Sequence, residues 1–220
     1  MFEEGSRLRT IGANVFNDCS SLTKINLPEG LKSIGDHAFC CCRILRNIRF
    51  PDGLEKIGTA CFAESGLEEV MFPASTKEVC ASAFEGCAQL KSVRLNEGLE
   101  ALGDSSFRRS AVESIRLPSI LRKIDVETFN GCKHLRSVEV PSGVERIGEL
   151  CFFASGVEEI ALPSTLKEIC TDTFKDCDNL KTVWVDGSCA KGTRKYVNDS
   201  VAVLPVKTLI GGQFLRDLRE

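Results

Sequence analysis

The sequence predicts an α/β-type repeat solenoid, with a parallel sheet on one face and short strands followed by single helical or 3₁₀ turns on the other. Two observations carry this. Phe recurs at Phe16, Phe39, Phe62, Phe84, Phe107, Phe129, Phe152 and Phe174, in steps of 22 or 23 residues. Aliphatic columns keep fixed distances from it, with Ile11, Ile34, Ile57, Val79, Leu102, Ile124, Ile147 and Ile169 each standing five residues before a Phe. A unit this short cannot bury its own apolar face, whereas stacked coils turn each column into a continuous ridge through a shared core.

One unit, Leu22 to Arg43, shows how each element is specified. Leu22, Ile25 and Leu27 form a short alternating run, which reads as a half-buried strand. Pro28 lacks an N–H and ends the ladder at a corner; Pro recurs at this place in Pro51, Pro73, Pro118, Pro141 and Pro163, with Asn96 the departure. Leu31 and Ile34 bring the chain back along the opposite face, and Gly35 precedes the buried Phe39. Eight such strands would stack to about 34 Å.

A longer register is superposed. The shorter steps follow Glu64-Ser65-Gly66, Arg109-Ser110-Ala111 and Ala154-Ser155-Gly156. The longer steps carry a Cys three residues after the Phe, at Cys19, Cys42, Cys87 and Cys132, and Cys177 keeps the same place. The chain therefore duplicates at 45 and at 90 residues, so that 61–87 and 151–177 align without a gap.

The pattern Leu22-Ile25-Leu27-Pro28-Leu31-Ile34-Gly35-Ala38-Phe39-Cys42 resembles the BspA-like, or Treponema-type, leucine-rich repeats over roughly residues 8–185. Cys80, Asp125 and Cys170 replace the Gly of that motif. The resemblance implies a leucine-rich-repeat solenoid of about eight coils over 1–185, a surface or secreted protein that binds other proteins, often in adhesion, and no catalytic residues. Residues 186–220 stand outside the repeat. They read as a cap strand to 205 and then a linker, with Phe214, Leu215 and Leu218 at helical spacing. The start inside a repeat and the apolar tail predict a segment of a longer chain.

Twelve cysteines are the loudest chemical signal, and the repeat explains most of them as small apolar core residues. From Cys42 onward the column returns only every second coil, about 10 Å apart, beyond the reach of a disulfide; only Cys19 and Cys42 fall on adjacent coils. Cys40, Cys41 and Cys42 are contiguous rather than paired at CxxC spacing, so no metal is predicted. A thiol-rich chain whose start has no apolar leader core suits a reducing compartment, opposite to the surface habit that the resemblance implies, so the compartment stays open.

A net charge of −3 gives no basic field for nucleic acid, and no apolar run is long enough to span a bilayer. The sequence holds no GxGxxG, P-loop, HExxH or GxSxG, and its two His, His37 and His134, occupy unrelated repeat positions. No enzyme and no cofactor are expected.

What remains is the outward face of the sheet. At its edge Glu68, Lys91, Glu113, Arg136, Glu158 and Lys181 alternate in sign, which reads as a solubilising ladder. Another outward column runs Asn26, Arg49, Met71, Arg94, Arg116, Glu139, Ala161, Trp184. Three guanidiniums and a thioether on about four adjacent strands have the composition of an interface core. Arg49, Met71, Arg94 and Arg116 are therefore the candidate partner-binding residues, for a protein ligand with an anionic patch. The bland alternatives are an ordinary solvated face and a structural spacer within a longer array, with Trp184 covered by the tail.

Overall fold

The computed structural model describes residues 6–185, 193, 196–197 and 199–205, with the backbone of 209–210 and 213–214. In chain order the strands are β1 (Thr10–Ile11), β2 (Ser33–Ile34), β3 (Lys56–Ile57), β4 (Glu69–Met71), β5 (Glu78–Val79), β6 (Ser92–Arg94), β7 (Ala101–Leu102), β8 (Ser114–Arg116) and β9 (Lys123–Ile124). They continue as β10 (Ser137–Glu139), β11 (Arg146–Ile147), β12 (Glu159–Leu162), β13 (Glu168–Ile169), β14 (Thr182–Val185), β15 (Ala202–Pro205), β16 (Leu209–Ile210) and β17 (Gln213–Phe214).

One face is a seven-stranded sheet in the order β15-β14-β12-β10-β8-β6-β4, parallel throughout. The opposite face carries two-residue strands in two parallel ladders, β1-β2-β3-β5-β7 and β13-β11-β9. Strands this short suffice because each coil extends the ladder by one rung, so pairing is continuous along the stack although each strand is brief. β15 adds a last parallel strand beyond the repeats, with Val203 opposite Val183. Phe214 lies in β17, paired antiparallel with β16; residues 215–220, where helical spacing was expected, fall outside the described residues.

The sequence placed a helical or 3₁₀ turn after each back strand, and the α/β description rests on it. The structure corrects this: the stretch around every Phe in the coils is a run of turns. Residues two before and two after each Phe have positive φ, as at His37 (55°) and Cys41 (59°), or Leu150 (54°) and Ala154 (50°). The reason is hydrogen bonding across coils. Ser82, Phe84 and Gly86 donate their N–H groups to Asp104, Ser106 and Arg108 of the next coil at 2.7, 2.8 and 2.7 Å. Between them Glu85 donates back to Ser82 at 3.0 Å, within the turn. A helix would instead direct its N–H groups, past the first turn, to carbonyls four residues earlier in the same segment. Left-handed residues at alternate places swing alternate peptides outward, so the turn becomes a third inter-coil ladder.

Fourteen of these left-handed residues are not Gly, and each costs about 1–2 kcal/mol of local strain. Ala154 occupies the place that Gly131 fills one coil earlier, at φ +69°. Ala154→Gly is expected to raise stability by about 1 kcal/mol and Gly131→Ala to lower it by about as much, in urea titrations. Gly58 has a different reason: a Cβ there would lie 2.6 Å from the backbone carbon of Gly35, so close approach of coils dictates it.

The core is built from the predicted columns. The eight Phe rings stack with centroids 5.0–6.0 Å apart, and Phe39, Phe62, Phe84, Phe107, Phe129 and Phe152 are wholly buried. Three residues after each Phe runs a column in which Ser and Cys alternate from Ser65 onward. Cys87 donates its S–H to the Phe62 carbonyl at 3.0 Å, and its sulfur lies 3.4 Å from the Ser65 hydroxyl. Ser110 with Cys132 and Ser155 with Cys177 repeat the pair at 3.5 Å. The 45-residue register is thus a hydrogen-bond register: the short-loop coil presents a hydroxyl and the next coil a thiol.

The stack departs from the expected eight strands at its first two coils. Leu22–Leu27 and Leu45–Phe50 have the strand pattern, yet neither joins the sheet, whose edge is β4. Behind them β1, β2 and β3 pair regularly, so these coils are closed on one face and open on the other.

Candidate functional site

The outward column falls on the sheet because alternation along each strand turns every second side chain to solvent. Met71 on β4 is directly opposite Arg94 on β6, and Arg116 on β8 stands opposite Glu139 on β10. β6 and β8 pair through Ser92 and Ser114, which makes Arg94 and Arg116 neighbours. Met71 is 63% exposed, far more than a thioether placed for packing. The structure therefore brings Met71, Arg94 and Arg116 together on three consecutive strands. Arg49 belongs to the unpaired segment of the second coil and lines a cleft beside the sheet instead.

Charges on this face are unevenly committed. Arg116 is held loosely between Glu97 and Glu139, at 3.9 and 3.6 Å. Arg94 and Arg49 make no ion pair among the described residues. In the edge column Glu158 lies between Arg136 and Lys181 at 3.9 and 3.4 Å, and Glu68 is met instead by Arg46 of the preceding coil at 2.5 Å. A second ladder, which the sequence reading did not single out, runs along the back: Lys32 to Glu55, Lys56 to Glu78, Lys77 to Glu100 and Arg146 to Glu168, at 2.7–3.1 Å. Its signal was available, as opposite charges one repeat apart. Exposed pairs of this kind contribute little each, so both ladders serve solubility and register. Ala161 and Trp184 carry the outward column onto β12 and β14, where the half-buried Trp184 donates its indole N–H to Glu159 at 3.4 Å and lies beside Leu204 of β15.

The cleft lies at the open end of the same face. It has a volume of about 790 Å3 and is lined by the two unpaired segments, including Lys24, Ile25, Leu27, Ile48 and Arg49, with Glu69 of β4. Ile25 and Ile48 are half-buried there, whereas Val70, Val93, Ile115, Val138, Ile160 and Val183 of the same column are buried.

The cysteine run divides. Cys42 turns into the core and donates to the Phe16 carbonyl at 3.1 Å, while the Cys40 and Cys41 sulfurs lie 3.6 Å apart near the surface. Burial, with the neighbouring Cys41 thiol, pushes the Cys40 thiol up to about 12, which favours the protonated form. Among the described residues every Cys is free, and no three His, Cys, Asp or Glu side chains converge as a metal site would require. No helix among the described residues is long and apolar enough to cross a membrane.

A stack of short parallel strands around continuous aliphatic and Phe columns, with an exposed sheet face and no converging reactive groups among the described residues, defines a leucine-rich-repeat solenoid of about eight turns. The chain belongs to the BspA-type leucine-rich repeat family, whose model matches residues 5–111 and 55–181 in six copies. Such repeats are generally non-catalytic, and leucine-rich-repeat proteins generally bind proteins. Among solved structures it is similar to a leucine-rich repeat protein of T. pallidum, at 24% identity and a TM-score of 0.63, covering 91% of this chain and 83% of that one. It is also similar to one from Eubacterium ventriosum, at 19% identity and a TM-score of 0.50, covering 82% of this chain and 58% of that one. At these identities the likeness carries the fold alone. No curated protein matches the chain.

Proposed function

We propose that this chain is a recognition and adhesion module that docks a protein partner on its parallel sheet, with Met71, Arg94 and Arg116 at the centre of contact and Arg49 at its margin. The observation that carries the reading is the exposed thioether flanked by an uncommitted guanidinium on the paired strands β4 and β6. Arg and Met are enriched where interfaces are buried, and a fixed guanidinium fork recognises carboxylates in two-point geometry. The partner surface is therefore anionic, with an apolar contact for Met71.

The test is a pull-down on immobilised protein at low and moderate salt, wild type beside the Arg94→Glu, Arg116→Glu double variant. Both positions are exposed, so the fold should survive, which thermal melting checks. The expected result is a partner held by wild type, more weakly as salt rises, and lost about tenfold or more in the variant. A folded protein that captures nothing in either form would make the chain a structural spacer.

A further inference from the structure

We infer that the cleft at the first two coils is a docking groove for an extended peptide segment of a partner, which adds to the open sheet and places a carboxylate between Lys24 and Arg49. The inference deepens the proposed recognition role of the same face and rests on it.

Three independent observations converge. The first is unpaired backbone. Coils further along are bonded strand to strand, as Lys91 is to Glu68 at 2.9 Å and Phe72 to Arg94 at 3.0 Å. Among the described residues no backbone bond joins Asn47 to Phe50 to either neighbouring coil, and Thr23 to Leu27 are equally unbonded, the last bond being from the Glu68 N–H to the Arg46 carbonyl at 3.0 Å. β4 pairs only with β6, and the second-coil segment beside it, tied to it by the Glu68–Arg46 bond and the Phe50–Phe72 ring contact at 5.6 Å, keeps its own backbone groups unpaired. Unpaired strand-like backbone is a template for another strand.

The second observation is the floor. Ile25 and Ile48 continue a column that is buried in each later coil, yet here they are half-exposed in the cleft together with Leu27. An apolar floor beneath unsatisfied amide groups suits an extended chain, whose alternate side chains point inward and whose backbone supplies the missing bonds.

The third is charge. Lys24 and Arg49 line the cleft and make no ion pair among the described residues, whereas nearby Arg46 is occupied by Glu68. Glu29, past the Pro28 corner, and Glu69 on β4 also line it. The complementary occupant is an extended segment that alternates apolar and polar residues, with Asp or Glu facing Lys24 and Arg49 and a basic residue towards the Glu29 corner.

A display library of random octapeptides panned on the immobilised protein tests this. Enriched peptides should alternate apolar with acidic residues. A synthetic copy should lose tenfold or more in affinity against the Lys24→Glu, Arg49→Glu variant, and as much when alternate backbone nitrogens are methylated. Ile48→Lys should act in the same direction, and since the floor supports folding, the charge variant, altered only at exposed positions, decides if Ile48→Lys lowers the melting temperature. Peptides indifferent to the charge variant would overturn the inference. So would peptides lost only with Arg94→Glu, Arg116→Glu, an outcome that keeps the sheet-face reading and discards the groove. Failure to enrich any peptide would also overturn the groove, while the partner pull-down judges the sheet face separately.

Discussion

Raising the pH from 8 to 11 is expected to unfold the protein in one cooperative step centred between about pH 9.5 and 11. The cause is a set of four wholly buried thiols, Cys87 and Cys132 of the Ser–Cys column and Cys61 and Cys151 just before their Phe residues. Burial pushes Cys87 up to about 12 and Cys132 up to about 11, and holds Cys61 and Cys151 well above the ordinary thiol value. Unfolded, each would titrate near 8.5. The folded state therefore binds protons more tightly than the unfolded state. The stability contributed by this difference is fully present below about pH 8.5 and is lost as the pH rises towards 11–12. Each wholly buried thiol withdraws up to about 1.4 kcal/mol per pH unit in that window. Four of them together remove about 5 kcal/mol per unit, comparable with the whole stability of a typical domain. The exposed ion pairs of the surface ladders contribute too little to compete with this loss.

The check is far-UV circular dichroism against pH, followed together with thiolate absorbance near 240 nm. Thiolate from the buried thiols should appear with the loss of structure and not before it. Replacing Cys61, Cys87, Cys132 and Cys151 by Ala lowers neutral stability yet should move the alkaline midpoint upward. A midpoint that stays in place, or buried thiols that ionise while the fold persists, would refute the linkage.

Much of this architecture was legible because it depends on one residue per coil in each column. The Phe ladder, the aliphatic columns and the Pro corners are local choices that repeat, and they stand in the structure where the sequence put them. The turns were not legible. Left-handed backbone is normally signalled by Gly or Asn, yet Glu64, Leu150 and Asp172 adopt it because bonds to the next coil override local preference. The Ser–Cys register was half legible: the Ser65 loop and the Cys87 column were both visible, but their meeting across coils was not. The first two coils show the opposite limit. Leu22–Leu27 matches the strand pattern as well as any later copy, since strand pairing is a property of neighbours and leaves no mark on one segment. For the same reason the column Arg49, Met71, Arg94, Arg116 was correctly placed outward, while the separation of Arg49 into a cleft could not be read.

Phe107→Ala is expected to cost about 3–5 kcal/mol, and Phe16→Ala at the end of the ladder no more than half as much. Phe107 is wholly buried between Phe84 and Phe129, with centroids at 5.6 and 6.0 Å. Its removal leaves a ring-sized cavity that two rigid neighbouring coils cannot close, because the turns on either side are tied by bonds such as those from Ser105 to Val126 and from Phe107 to Thr128, at 2.9 and 3.1 Å. Phe16 is only partly buried and stacks on Phe39 at 5.0 Å, so an end coil can fray around the loss. In a solenoid, stability is a sum of coil and nearest-neighbour terms; a central substitution weakens two interfaces at once. Urea titration of both variants beside wild type measures the difference, with Phe107→Ala also lowering the melting temperature by about 6–20 °C at this chain length. Equal losses at the two positions would mean that the Phe column does not act as a continuous ladder and that the coils are held chiefly by their backbone bonds.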